Sequence, residues 1–186
     1  MTETKIINPN PIMIGMAKTD SFFIRASIQT AATPAQTSID LGAYVDALGK
    51  SVLRIHNLAV RYDFGTTGPS LSLAGPGVSG STQFQITTQS QSALVGLTDK
   101  SVIASGSLES TNDTVATNAY SFFSDNMDVA PQHWTQGYLV GVEQIYLLAD
   151  IQGQDFQTLP IVEVVMECTV ETLSSSAAMA LALSQQ

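Results

Sequence analysis

Between residues 159 and 173 the chain alternates without interruption: Val162, Val164, Met166, Cys168 and Val170 share one parity, and Glu163, Val165, Glu167, Thr169 and Glu171 the other. Successive side chains of an extended strand point to opposite faces. The pattern therefore predicts one long strand with an apolar face buried and a glutamate-bearing face outside. Pro160 fits only at its start or on an edge, because it donates no ladder hydrogen bond. The same period recurs at 20–30 (Phe22, Ile24, Ala26, Ile28), at 83–87 (Phe84, Ile86) and at 101–108. It recurs at 138–148, where Tyr138, Val140, Val142, Tyr146 and Leu148 are in phase. Residues 51–64 switch parity, from Leu53 and Ile55 to Leu58, Val60 and Tyr62. A switch at His56-Asn57 predicts a β-bulge, or a bend that carries the strand from one packing partner to another.

One helix is predicted. Asp40 precedes Leu41, Tyr44, Val45 and Leu48, at helical spacing, and Gly49 follows as a C-terminal stop. Turn residues punctuate the rest, at Gly65–Pro69, Gly75-Pro76-Gly77, Thr111-Asn112-Asp113 and Asp125-Asn126. Seven or eight strands, roughly ten residues apart, predict an all-β chain: a single jelly-roll β-sandwich with one short helix. No repeat or linker divides it. The expected organisation is an N-terminal arm at 1–19, the jelly-roll domain at 20–173 and a C-terminal tail at 174–186. The apolar stretch Ala177–Leu183 within that tail reads as a loose end, or as a segment that orders only against a neighbour. No basic stretch leads into a long apolar run, and no run approaches the ~18 residues of a spanning helix, so neither a secretory signal nor a membrane span is expected.

Charge bears on partners. The chain carries 7 Lys and Arg against 16 Asp and Glu, a net of −9, which argues against direct nucleic-acid binding. All 7 cations lie in residues 1–100, so the acids of 101–186 have none of their own. Those carboxylates must be solvated, hold cations, or pair with the first half or another subunit.

The chemical motifs weigh against an enzyme. Gly75-Pro76-Gly77-Val78-Ser79-Gly80 matches G-x-G-x-x-G, but Thr82, Phe84, Ile86 and Thr88 alternate as a strand where the dinucleotide motif needs a helix. Glu163, Glu167 and Glu171 are ~13 Å apart along a strand, too far for one metal or a glycosidase pair. A solvated or subunit-facing row is expected instead. His56 has no elbow serine and no acid implied by spacing, so it reads as a structurally hydrogen-bonded histidine. His133-Trp134 reads as a loop whose aromatic packs down as an anchor, with sugar stacking as the alternative. Asn112-Asp113-Thr114 fits a glycosylation sequon in an exposed loop, with little force absent a signal peptide. Cys168, the lone cysteine, falls on the apolar parity and is expected buried, an intersubunit disulfide being the lesser alternative. No catalytic, cofactor-binding or metal-binding residues are assigned, and no cofactor is expected.

Only 12% of residues are charged, while Ser, Thr and Gln are abundant. A free monomer usually keeps more surface charge, so this composition fits flanks covered by other copies. The block from Leu41 to Asp63, the strand-rich middle and the long last strand resemble a small single jelly-roll major capsid protein. The group is that of the tailless icosahedral, internal-membrane viruses, the sphaerolipovirus-like group. The resemblance implies a structural subunit of the virion's capsid shell, made in the host cytoplasm. It implies upright jelly rolls in pseudo-hexameric capsomers, with copies of itself and a second, larger capsid protein as partners over an internal membrane. The acids are fewer than a strongly halophilic protein carries, a departure that speaks against a high-salt host. The alternative function is a jelly-roll carbohydrate-binding or virion attachment module, using loops around 65–80 and 130–137. A cupin-type enzyme ranks last, because two histidines far apart do not supply its metal set.

Overall fold

The computed structural model describes residues 20–46, 50–64, 77–113, 120–152 and 159–186. The expected N-terminal arm, Leu48, Gly49, Gly65–Pro69, Gly75 and Thr114 lie outside them. Among the described residues nine strands run in order: β1 (Phe22–Gln29), β2 (Ala35–Asp40), β3 (Ser51–Asp63), β4 (Val78–Thr87), β5 (Val102–Asp113), β6 (Tyr120–Val129), β7 (Tyr138–Val140), β8 (Gln144–Gln152) and β9 (Ile161–Thr172). A 3-10 turn, Pro131–His133, precedes β7, and helix α1 (Ser175–Ser184) follows β9. The strands form two antiparallel sheets, β1-β9-β3-β7 and β2-β8-β4-β5-β6. The chain crosses between sheets at nearly every connection, which is the wrapping of a jelly roll, with β6 added as an outer hairpin strand. No described helix is long and apolar enough to cross a membrane.

The core lies where alternation puts it. Val162, Val164, Met166 and Cys168 of β9 meet Phe84 and Ile86 of β4 and Ile145, Leu147 and Ala149 of β8 between the sheets. The parity switch of β3 is a bulge: its register against β9 shifts between Ile55 and Asn57. Up to Ile55, β3 pairs with β9 on one side and β7 on the other; beyond it, β7 has ended.

Several expectations are corrected. The single strand at 138–148 is two strands in different sheets, β7 and β8, and the inward parity of β8 is Ile145, Leu147 and Ala149 rather than Tyr146 and Leu148. The break falls at Gly141, where an added Cβ would lie 3.0 Å from Leu181 and 3.1 Å from the Ala182 nitrogen and would push α1 back by a few tenths of an ångström. The helix expected after Asp40 is a single turn. Asp40 Oδ1 accepts from the Gly42 N–H at 2.8 Å, and Leu41 O accepts from Tyr44 and Val45. Asp46 N–H then donates to Ser51 O, which turns the chain into β3. Neither Thr111-Asn112-Asp113 nor Asp125-Asn126 is a turn: the first ends β5 and the second lies within β6.

The expected loose end is α1, and it orders against its own chain. Alanine, leucine and methionine are strong helix formers. Ser174 caps them, its Oγ accepting from the Ala177 N–H at 3.3 Å. Ala178 and Ala182 are buried, while Met179 and Leu183 remain exposed.

Candidate functional site

An open groove of about 870 Å³ lies between α1, the loop that precedes β7 and the turn that leads into β5. Trp134, Tyr138 and Leu181 supply its apolar walls, with Arg54, Lys100 and Gln136 as polar groups. Trp134 is 55% exposed, so it does not pack down as the anchor expected from the sequence. Pro131 is buried instead and fixes the loop. Gly137 has φ +67°, and a Cβ there would lie 2.2 Å from Ile55 O; glycine is what seats this loop against β3.

Arg54 is the best-anchored cation. Its guanidinium forks onto the Glu171 carboxylate, with Nη2 to Oε2 at 2.8 Å, and also donates to Gln136 O. That hydrogen bonding holds the Glu171 carboxyl below its ordinary range, aided by the charges of Arg54 and His56 and opposed by burial. His56 Nε2 lies 2.9 Å from Thr169 Oγ1, a hydrogen-bonded position on the bulge.

The glutamate row of β9 is neither merely solvated nor dependent on another subunit. Each member meets a residue of the adjacent strand β3: Glu171 meets Arg54, Glu167 meets Asn57, and Glu163 meets Arg61 at 3.9 Å. Two of the acids in the cation-free half, Glu163 and Glu171, thus find arginines in the other half, because β3 and β9 are neighbours. Cys168 faces the core with no exposure, and burial together with the Glu167 charge pushes its thiol up to about 12. A disulfide between subunits through this residue would require opening the sandwich. Asn112 is 2% exposed within β5, so the sequon asparagine is not on an exposed loop. Gly77 occupies a turn and Gly80 lies in β4, so no helix follows the glycine motif. Among the described residues no three His, Cys, Asp or Glu side chains come together to hold a metal.

Sequence reasoning missed the work of the glutamines. Gln132 bonds both backbone groups of Leu58, with its Oε1 accepting the N–H and its Nε2 donating to O at 3.0 Å each. This amide takes over the edge of β3 where β7 ends. Gln185 does the same for β7, donating to Leu139 O at 2.7 Å and accepting from the Gly141 N–H at 2.8 Å. Gln85 holds Val95 through N–H and O, and Gln36 reaches Ser90 and the Gln91 N–H, so the loop between β4 and β5 is tied across the outer face of the larger sheet. A primary amide carries one acceptor and two donors, the complement of a strand edge, without charge to desolvate. The glutamine content had suggested flanks covered by other copies. At these positions it covers the chain's own edges.

No protein-family model matches the chain, and no curated protein matches it in sequence.

Proposed function

We propose that this protein is a structural subunit of a viral capsid, assembling laterally into capsomers and performing no chemistry. The observation that carries the reading is a jelly roll of low charge that leaves large apolar side chains outside: Phe23, Leu97, Leu159, Met179 and Leu183 are all exposed. Low surface charge together with several separate apolar positions suits lateral packing against copies better than a single ligand site. Its partners are copies of itself and a second, larger capsid protein, in a virion shell over an internal membrane. Electron microscopy and sedimentation of the full chain, alone and co-expressed with candidate shell proteins, test this. Capsomers or closed particles are the expected result; a monomer at every concentration and with every partner overturns it.

A second reading, a carbohydrate-binding or attachment module, is favoured by the exposed Trp134 at a groove that also offers Lys100 and Gln136. A glycan-array signal abolished by Trp134→Ala would support it.

A further inference from the structure

The edges of the four-stranded sheet are treated differently. The β7 and β3 edge is occupied by the amides of Gln185 and Gln132. The opposite edge, β1, pairs with β9 along its whole length on one side and has no strand on the other among the described residues. A cleft of about 440 Å³ runs along it, between residues 23–27 of β1 and 37–40 of β2, which is itself an edge strand. No proline, lysine or bulge blunts β1, and Phe23 beside the cleft is 55% exposed. Such an edge is a template for a further strand.

We propose that β1 pairs antiparallel with β1 of a second copy across a two-fold axis, which joins the two four-stranded sheets into one. Side-chain parity restricts the register, because apolar Ile24, Ala26 and Ile28 must stay on the inner face of both copies. The two registers of greatest overlap centre on Arg25 or on Ala26. The first sets Arg25 against its own symmetry mate, a like-charge pair directly opposite. The second sets Ile24 against Ile28, Arg25 against Ser27 and Phe23 against Gln29.

Charge complementarity favours the second. Of the three arginines, Arg25 is the one without a carboxylate partner among the described residues; its contact is the Phe23 ring, 5.7 Å away. Ser27 is the β9 neighbour of Glu163. Arg25 therefore extends across the small Ser27 of the second copy toward that copy's Glu163, whose own Arg61 is held only at 3.9 Å.

This inference deepens the assembly reading, and the two fail separately. Sedimentation velocity of the full chain over a concentration series gives a monomer–dimer equilibrium. Ser27→Lys places a cation opposite Arg25 of the second copy and weakens the dimer roughly tenfold, since each change acts twice. Adding Arg25→Glu recovers part of the lost affinity, because a carboxylate then faces the introduced lysine, while the attraction between Arg25 and Glu163 is gone. Both positions are exposed, and unchanged circular dichroism spectra verify the fold of each variant. Hydrogen exchange at the β1 amides slows as the dimer forms. A chain that stays monomeric, or a dimer that both variants leave unmoved, overturns the β1 pairing. A β1 dimer that never builds capsomers or particles sinks only the shell reading.

Discussion

The two sheets of this sandwich face outward in opposite ways. The five-stranded sheet hides part of its outer face beneath its own chain: the loop between β4 and β5 is tied down by Gln36 and Gln85, and Leu148, between them in register, is 1% exposed. The four-stranded sheet leaves its outer face open and furnishes it with cross-strand polar pairs between β3 and β9. Both sheets are built from alternating strands, so the period does not distinguish them. What differs is whether a neutral amide anchors a covering loop or a carboxylate meets an arginine in water. The covered face gains stability by burial; the open face retains groups able to meet another molecule.

The contrast breaks most visibly at its apolar centres. Leu148→Ala removes buried volume beneath the loop and costs about 2–5 kcal/mol. Val165→Ala, at the corresponding centre of the half-buried open face, costs about 1 kcal/mol or less. Urea unfolding of both variants measures the difference. Equal costs would mean that the loop does not shield its face in solution.

Gln85→Ala is the next largest effect. It strips both bonds from Val95 and leaves that backbone without its partner, at about 1–3 kcal/mol. Hydrogen exchange across residues 89–99 accelerates while exchange in β9 is unchanged. A uniform loss of protection would show instead that the loop and the sandwich unfold as one unit.

Legibility in the sequence follows the same divide. Where one face is buried and the other solvated, as in β9, β1 and β4, alternation gives the strand and its inner residues. It gives the β3 bulge as well, since an inserted residue must invert parity. β8 misleads because Leu148 is apolar yet covered on the outer side, so both parities read as core. β6 is hidden by its polar residues, which look like turn chemistry. The groove beside Trp134 and the amides of Gln132 and Gln185 depend on which strand ends where in three dimensions, which no local spacing encodes. α1 carried a readable signal, a serine cap before alanine and leucine, but its docking rests on the bare backbone of Gly141, some forty residues earlier.

On the open face the strongest pair is Arg54–Glu171. Arg54→Ala loses the carboxylate fork and the bond to Gln136 O, at about 1–3 kcal/mol. The pair also sets a pH response. The folded Glu171 carboxyl lies below its unfolded value, so the unfolded chain binds the proton more readily. The stabilisation is fully present above the unfolded value of about 4.3 and is lost as pH falls through the folded one. Melting temperatures between neutral and acid pH should fall more steeply for the wild type than for Glu171→Gln. Parallel curves would remove this pair from the acid response.

The smallest effect is expected at Arg61, and it separates a structural pair from a surface held ready. Arg61 is 62% exposed at its side chain and reaches Glu163 only at 3.9 Å and Asp63 at 3.6 Å. Pairs so open to water contribute ~0–1 kcal/mol, because screening and side-chain ordering offset most of the attraction. Arg61→Ala should therefore leave monomer stability nearly unchanged, and added salt should not enlarge its effect. In the dimer the same change leaves Glu163 free for Arg25 of the second copy, so association should strengthen slightly at low salt. A loss of monomer stability as large as that of Arg54→Ala would show that the open face is held together by its whole charge ladder, and the contrast between the two sheets would narrow to one of chemistry alone.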